Sequence, residues 1–289
     1  MDERQINIQW YPGHMTKTRR QIEADLKQVD AVCEIVDARI PVSSRNPDID
    51  AICGNKPRII VLNRMDLADP EATKRWMQYF RAKGMAAVAT DCKTKKGIGG
   101  FQPAVRSVLR EKIERNAAKG MNKPLKVMIV GIPNVGKSTL INQISGRKGA
   151  KAENRPGVTR GKQWVTVDNT LLLLDTPGIL WPKFEDPRVG MMLAYTGAVK
   201  ENIIDVEELA CLLMELLWAY YPQTVKDRYK IDMSEGTPGY ELLEEAGRKR
   251  GFLLARGEIN TERMAKVLLD EYRSGKLGHF TLEMPEEQP

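Results

Sequence analysis

The chain has 289 residues and a net charge of +7; hydrophobic residues make up 42% of it and charged residues 29%, as in folded proteins of about two domains. The N-terminus MDERQINIQW lacks the apolar core of a secretory signal, and the longest apolar run, LACLLMELLWAYY at 209–221, contains Glu215 and is too short to span a bilayer. These features predict a soluble, cytoplasmic protein and exclude a membrane-spanning one.

Short apolar runs alternate with amphipathic stretches between residues 30 and 175. This alternation predicts an α/β fold with a mostly parallel sheet that is covered on both faces. The predicted strands are 31–37, 58–62, 85–89, 126–130, 163–167 and 170–175, the last two forming a hairpin across Asp168-Asn169. The predicted helices between them are about 70–82, 101–117 and 137–145.

The pattern changes after the segment DTPGILWP, and from about residue 186 onward only amphipathic helical patterns follow. These helices are predicted at 205–219, 222–230, 239–249 and 261–274. We therefore expect an α/β domain at 1–183, a small all-helical domain at 184–282 and a disordered tail at 283–289.

The four cysteines are scattered, with no CxxC pair and no neighbouring histidine, so we expect reduced thiols and no zinc site. The charge is unevenly distributed: residues 1–180 sum to +13 and residues 181–289 to −6. Most of the surplus lies between Asp91 and Gln163. A basic half of this kind favours a polyanionic partner, although a merely solvated surface explains the charge about as well.

A phosphate-binding loop is predicted at GIPNVGKST, residues 131–139, because this pattern follows a strand and opens a helix. Its glycines allow a tight turn whose N–H groups converge on phosphates at a helix N-terminus. Lys137 would reach the β- and γ-phosphates, and the Ser138 hydroxyl would bind Mg²⁺. The predicted contacts to the nucleotide come from Asn134, Val135, Gly136, Lys137, Ser138 and Thr139.

Two further segments are typical of a nucleotide-sensing protein. DTPG at 175–178 ends a four-leucine strand, which places Asp175 to hold Mg²⁺ through water and the Gly178 N–H to donate to the γ-phosphate. RPGVTRG at 155–161 is the candidate mobile loop, in which the Thr159 hydroxyl would complete the Mg²⁺ shell.

The segment NRMD at 63–66 ends a predicted strand and has the Asn-x-x-Asp pattern of a guanine reader. Asn63 would contact the base, and the Asp66 carboxylate would accept hydrogen bonds from guanine N1–H and N2–H₂, a donor pair that adenine lacks. Arg64 stands where the usual pattern has Lys, and its aliphatic stem can pack over the phosphate loop. After the next strand, Thr90, Asp91 and Cys92 are candidates for the backbone contact to guanine O6.

The base reader precedes the phosphate loop in this chain, which reverses the usual order of a GTP-binding domain. One economical explanation is circular permutation: strands 31–37, 58–62 and 85–89 form the second half of a GTPase sheet, and the later three form its first half. The residues at about 91–124 would then join the two halves.

The permuted order, DARIP at 37–41, PGHM at 12–15 and a helical C-terminal domain together resemble the ribosome biogenesis GTPase A family. This family consists of circularly permuted GTPases that act as ribosome assembly factors in bacteria and mitochondria. The resemblance spans essentially the whole chain. It implies GTP/GDP binding with Mg²⁺ and GTP hydrolysis coupled to late maturation of the large ribosomal subunit. The implied partners are the subunit precursor, its rRNA and its ribosomal proteins, without membrane or DNA.

Hydrolysis needs a group that positions water, and the position after DTPG is Ile179, which cannot do so. The resemblance offers Asn134, which in similar GTPases helps to hold K⁺, and His14 of PGHM, one of two histidines. The residues assigned to hydrolysis are therefore His14, Asn134, Lys137 and Gly178. We expect slow turnover in isolation and faster turnover on the ribosomal particle.

Two other function classes stay open at this point. The chain could be a nucleotide-gated RNA- or protein-binding module in which hydrolysis is incidental. It could also be a P-loop enzyme acting on a small substrate, such as a kinase, although NRMD and the lack of a lid signature disfavour this class. In the resembled family the helical domain is thought to bind rRNA; here it is net acidic, which leaves basic patches such as Arg248-Lys249-Arg250.

Overall fold

The computed structural model of the chain describes residues 15–146, 163–178, 186–199, 205–255 and 257–285. His14, Thr159 and Ile179 lie outside these ranges. Contacts between Cα atoms divide the described residues into two compact units. One unit contains residues 15–178 and 283–285 and is called the sheet unit below. The other contains residues 186–282 and is called the helical unit.

The sheet unit is built on one six-stranded sheet with the strand order β3-β2-β1-β4-β6-β5. The strands are β1 Ala31–Asp37, β2 Arg58–Asn63, β3 Ala86–Thr90, β4 Leu125–Gly131, β5 Gln163–Asp168 and β6 Leu171–Asp175. All pairs are parallel except β5 with β6, which form the expected hairpin. The six predicted strands and the mostly parallel sheet are confirmed.

The permuted arrangement follows from the pairing of β1 with β4 at the centre of the sheet. The chain builds β1, β2 and β3 outward on one side of this pair, and then returns to build β4, β6 and β5 on the other. The base-reading segment and the phosphate loop therefore stand on opposite halves of one sheet, although their order in the chain is reversed.

Apolar side chains cover both faces of the sheet, as expected for parallel strands. On one face Ile22 and Leu26 of α1 (Met15–Leu26) pack with Val130 and Leu174 of the strands. On the other face Trp76 and Phe80 of α3 (Pro70–Ala82) pack against residues of β1 and β2, including Val36, Ile60 and Leu62.

The remaining helices of the sheet unit are short and connect the strands. They are α2 Asp48–Cys53, α4 Phe101–Val108, α5 Arg110–Ala118 and α6 Lys137–Ser145, with a 3₁₀ turn at Ile98–Gly100. The single helix predicted at 101–117 is wrong, because Leu109 leaves helical geometry with φ −107° and ψ 14° and separates α4 from α5. Helices α1 and α2 had no counterpart in the predicted elements.

The helical unit contains α7 Pro187–Tyr195, α8 Val206–Tyr220, α9 Pro222–Tyr229, α10 Gly239–Lys249 and α11 Thr261–Ser274. Its core consists of fully buried apolar side chains, such as Leu213 of α8, Leu242 of α10 and Leu268 of α11. The described part of this unit has no strand, only an isolated bridge between Leu253 and Ile259. No helix among the described residues is long and apolar enough to cross a membrane.

The prediction of a disordered tail from residue 283 is wrong for its first residue. The Glu283 carboxylate accepts hydrogen bonds from the backbone N–H groups of Val42 at 2.6 Å and Ser43 at 3.1 Å. The Glu283 carbonyl accepts one from Trp76 Nε1 at 2.8 Å. These bonds place Glu283 in the sheet unit, and residues 286–289 lie outside the described ranges.

Glu271 of α11 joins three helices of the helical unit. Its side chain is buried and accepts hydrogen bonds from Arg228 Nε at 3.0 Å, Tyr229 Oη at 3.0 Å and Arg250 Nη2 at 3.2 Å. Burial alone would raise the pKa of Glu271, but the donated hydrogen bonds and the two arginine charges outweigh it and hold that pKa below its ordinary value. The ionised carboxylate therefore stabilises the unit.

We predict that Glu271→Gln lowers the free energy of unfolding of the helical unit by about 1–3 kcal/mol near neutral pH, because charge-assisted hydrogen bonds are lost. A carboxyl with a lowered folded pKa stabilises above its unfolded pKa, and the stabilisation is lost as pH falls through the folded value. The difference from the wild type should thus shrink below the ordinary value of 4.5.

Urea unfolding followed by circular dichroism at several pH values measures this difference. Glu262→Gln is the matched control on the same helix, because its ion pair with Lys266 is exposed to solvent and should contribute much less to stability. Equal effects of the two substitutions would contradict the assigned role of Glu271.

Candidate nucleotide-binding site

The candidate residues meet where the parallel strands end at one edge of the sheet. Asp37 of β1 is in register with Asn63 of β2, and Asn63 is in register with Thr90 of β3. On the other half of the sheet, β4 ends at Gly131 and β6 ends at Asp175. Ligands of open α/β sheets bind at this edge, so the fold brings motifs that are distant in the chain to one place.

The phosphate loop runs from Gly131 to the start of α6 and has the backbone shape of an anion cradle. Gly131, Asn134 and Gly136 have positive φ values of 153°, 60° and 106°. Helix α6 begins at Lys137, so its first N–H groups and the positive end of its dipole face the loop. Ser138 and Thr139 lie in its first turn, both half-buried.

Lys137 is buried at the centre of the loop. Its Nζ donates hydrogen bonds to Gly131 O at 3.1 Å and Ile132 O at 2.8 Å. Burial lowers the pKa of Lys137 to about 8, and the Asp175 carboxylate only partly offsets this effect. The hydrogen bonds that Lys137 Nζ donates within the described residues go to neutral carbonyl oxygens, so this cation can still gain from an anion such as a phosphate.

Gly178 of DTPG lies against the phosphate loop. A Cβ added to Gly178 would come within 2.9 Å of Lys137 Nζ and 2.8 Å of Pro133 Cα. A side chain at this position would therefore collide with the loop. The backbone of Gly178 and the amine of Lys137 can face the same phosphate group.

Asp175 and Ser138 form a site that fits a Mg²⁺ ion. Asp175 is 2% exposed, and its Oδ2 lies 3.4 Å from Ser138 Oγ. Its Oδ1 is buried without a hydrogen-bond partner in the described structure. Burial raises the pKa of Asp175, with Lys137 opposing the rise. A buried carboxylate oxygen without a donor fits a hard cation or its bound water.

Asn63 ties the base-reading segment to the phosphate loop. Its Nδ2 donates to Val135 O at 2.7 Å, and its Oδ1 accepts from Thr90 Oγ1 at 3.2 Å and Cys92 N at 3.3 Å. The side chain approaches so closely that a Cβ at Gly136 would lie 2.3 Å from Nδ2. Asn63 is 3% exposed, so these bonds are sheltered from water.

Arg64 adds a second link to the phosphate loop. Its Nη2 donates to Asn134 O at 2.6 Å, and its Nη1 lies 3.5 Å from Asp37 Oδ2. The contact made by Arg64 is therefore a guanidinium hydrogen bond, in addition to any packing of its stem. Asp66 is half-buried, and its turn is held by the Met65 N–H bond to Thr90 O at 3.1 Å.

The segment after β3 uses its side chains for its own turn. The Asp91 carboxylate accepts from Lys93 N at 2.8 Å and Thr94 Oγ1 at 2.5 Å. Burial raises the pKa of the Cys92 thiol to about 11, so the thiol is not ionised. The Cys92 carbonyl accepts from Gln143 Nε2 of α6 at 3.1 Å, a second bond to the phosphate-loop half. Only backbone atoms of this segment are suited to contact a base.

Asp37 was not among the predicted site residues. Arg39 binds both of its carboxylate oxygens, at 2.9 and 2.7 Å, and both side chains are buried. Burial alone would raise the pKa of Asp37, but Arg39 and Arg64 outweigh it and hold that pKa low. The signal was present in the sequence, because Asp37 ends a predicted strand at the same sheet edge as NRMD.

Comparison with known proteins gives a consistent result. The family described as 50S ribosome-binding GTPase matches residues 126–235. Ribosome biogenesis GTPase A of Priestia megaterium is 47% identical over 285 residues, covering 98% of each chain. Ribosome biogenesis GTPase A of Thermotoga maritima is 32% identical over 97% of this chain and 95% of that protein. The mouse mitochondrial ribosome-associated GTPase 1 is 33% identical over 95% of this chain and 89% of that protein.

Two solved structures share the fold. GDP-bound TM YlqF aligns with a TM-score of 0.65 at 28% identity, over 93% of this chain and 100% of that one. GNP-bound YlqF from T. maritima aligns with a TM-score of 0.60 at 28% identity, over 94% and 100%. The expected resemblance is confirmed over nearly the whole length. The chain therefore belongs to the ribosome biogenesis GTPase A family and is a GTPase that binds guanine nucleotides.

Proposed function

We propose that this GTPase is an assembly factor of the large ribosomal subunit that binds the precursor particle in one nucleotide state and leaves it in the other. One observation carries the proposal: Asn63 of the base-reading segment bonds directly to the phosphate loop at Val135 O, 2.7 Å away. The permuted motifs thereby form one guanine nucleotide site in a chain whose relatives are named for ribosome biogenesis.

The base is read by the segment after β2. The Asp66 carboxylate accepts hydrogen bonds from guanine N1–H and N2–H₂, and one N–H of the Asn63 amide remains available for the base. Thr90, Asp91 and Cys92 approach guanine O6 through their backbone. Adenine would leave the Asp66 carboxylate without donors, which is a large penalty in a half-buried site.

The phosphates lie in the loop before α6, where Lys137 exchanges its carbonyl partners for the β- and γ-phosphate oxygens. Ser138 and Asp175, with Thr159, would hold Mg²⁺, which neutralises charge that develops on the phosphates. The Gly178 N–H donates to the γ-phosphate. Its close approach to Lys137 supports this role, because loss of that phosphate frees the backbone to shift.

Nucleotide state can reach the helical unit through the chain itself. In this permuted order the residues after Gly178 lead into the helical unit and not back into the sheet. A γ-phosphate-dependent shift at Gly178 therefore acts on the covalent connection to that unit.

The basic segment from Lys93 to Lys162 is the surface that we assign to rRNA. Lys93, Lys95 and Lys96 are exposed. The alternative patch Arg248-Lys249-Arg250 is less suited, because each of its three side chains pairs with a carboxylate of Glu244, Glu245 or Glu271. Paired cations have less to gain from a phosphate.

Co-sedimentation with large-subunit precursors tests the proposal. We expect binding with a GTP analogue to exceed binding with GDP, or the reverse, and to weaken steeply with salt, because each phosphate contact releases counterions. Charge reversal at Lys148 or Lys151, both outside the described residues, should weaken binding and lower the salt slope by about one unit.

Lys74→Glu is the control for these variants, because Lys74 is exposed on α3 and paired with Glu71. It should bind the particle like the wild type. Binding that is indifferent to both nucleotide and salt would contradict a nucleotide switch on rRNA.

Hydrolysis is proposed to depend on His14 and on K⁺ held with the help of Asn134. Ile179 cannot orient water, so isolated turnover is slow. His14→Ala should leave GTP affinity unchanged and reduce particle-stimulated hydrolysis about 100-fold, the usual scale of a lost acid–base or positioning group. Na⁺ should replace K⁺ poorly. Phosphate release on the particle measures both effects.

His279→Ala is the matched control, because His279 is the second histidine of the chain and is exposed in the helical unit. It should hydrolyse GTP at the wild-type rate. If His14→Ala does so as well, His14 has no part in hydrolysis, and Asn134 with K⁺ must account for it.

A further inference from the structure

Glu283 is the first residue after the helical unit that belongs to the sheet unit. Its carboxylate receives three donors from one short loop: the N–H groups of Val42 and Ser43 and the Ser43 hydroxyl. Its carbonyl accepts a hydrogen bond from Trp76 Nε1 at 2.8 Å. Four donors, from the loop after β1 and from α3, therefore fix this one residue against the sheet unit.

The loop that Glu283 binds, residues 38–44, follows Asp37 in the chain, and its last residue is hydrogen-bonded back to Asp37. The Asp37 N–H donates to Ser44 Oγ at 2.9 Å, and Ser44 Oγ donates to Ile40 O at 2.6 Å. Ser44 is 0% exposed. Ser43 binds Glu283, and its neighbour Ser44 binds the Asp37 backbone. A shift of the loop away from Glu283 would therefore also shift the Asp37 backbone.

Asp37 in turn connects this loop to the nucleotide site. Its Oδ2 lies 3.5 Å from Arg64 Nη1, and Arg64 Nη2 donates to Asn134 O at 2.6 Å. Asn134 has a φ of 60°, a left-handed conformation that asparagine adopts more readily than most residues other than glycine, and the bond from Arg64 fixes the direction of its carbonyl. A continuous series of contacts thus runs from the Glu283 carboxylate to the phosphate loop.

We propose that Glu283 is a positioning residue for the nucleotide site, acting through the loop 38–44, Asp37 and Arg64 on the backbone of Asn134. The inference rests on the proposed role of Asn134 and its loop in nucleotide binding. It gives the helical unit a second covalent connection to the site, at its C-terminal end, in addition to the one after Gly178. Nucleotide binding and the hydrogen bonds between Glu283 and the loop 38–44 therefore stabilise each other.

A double-mutant cycle measures this coupling. Glu283→Gln should raise the equilibrium Kd for fluorescently labelled GDP about 5-fold, at the low end of typical couplings between sites. Arg64→Met keeps the aliphatic stem and removes both guanidinium contacts, so adding Glu283→Gln to it should change the Kd no further. Glu111→Gln, the same change at an exposed position of the sheet unit, is the control and should bind GDP like the wild type.

Amide hydrogen exchange gives a second readout that simple anchoring would not move. If Glu283→Gln lowers the GDP affinity about 5-fold, thermodynamic linkage requires a reciprocal effect of GDP on the loop. GDP should then slow hydrogen exchange of the Val42 and Ser43 amides by the same factor. In Arg64→Met this protection by GDP should disappear, although Glu283 is intact. The two measurements are independent and must agree.

Three results would overturn the inference. The first is unchanged GDP affinity in Glu283→Gln. The second is a pair of effects of Glu283→Gln and Arg64→Met that simply multiply. The third is exchange of the Val42 and Ser43 amides that is the same with and without GDP. Any of these results, with normal GDP binding by the wild type, would leave the proposed nucleotide site intact and remove only the role of Glu283.

Discussion

The arrangement of the nucleotide site depends on the hydrogen bond that the Asn63 amide donates from the base-reading half of the sheet to the phosphate-binding half. Permutation places the base-reading half before the phosphate-binding half in the chain. The pairing of β1 with β4 joins the two halves at the centre of the sheet, and Asn63 joins them at the edge where the motifs meet. Asn63 donates to Val135 O and accepts from Thr90 and Cys92, which uses all but one N–H of its hydrogen-bonding capacity. Aspartate at this position would lose the donor, and a side chain at Gly136 would collide with the amide.

The same edge of the sheet carries both connections to the helical unit. Gly178 follows β6 and lies against Lys137, and Glu283 binds the loop after β1. In the chain, the helical unit therefore lies between Gly178 and Glu283, and each of these two residues contacts an element of the nucleotide site. Two connections of this kind are what the proposed coupling between nucleotide state and the helical unit requires.

The sequence predicted the elements in which local signals agree. Continuous apolar strands, the phosphate loop and the strongly amphipathic α3, α10 and α11 lie within about a residue of their predicted bounds, and α3 and α11 also have side-chain N-caps. Helix α1 had weak apolar periodicity: among its described side chains, Ile22 and Leu26 are the apolar residues that pack into the core of the sheet. Helix α7 has clear start signals in Asp186 and Pro187 but spans only nine residues. Asp37, Gln143 and Glu283 contact residues that are distant from them in the sequence, namely Arg64, Cys92 and Val42. No local sequence pattern specifies such pairings.

Nucleotide specificity tests most directly whether the two halves form one guanine site. We expect Asp66→Asn to weaken GTP binding about 100-fold and to improve binding of xanthosine triphosphate, whose 2-oxo group accepts a hydrogen bond from the new amide. Asp69→Asn is the matched control, because Asn caps α3 as well as Asp does, and it should leave both affinities unchanged. Equal affinity of the wild type for ATP and GTP, or equal behaviour of the two variants, would contradict the account.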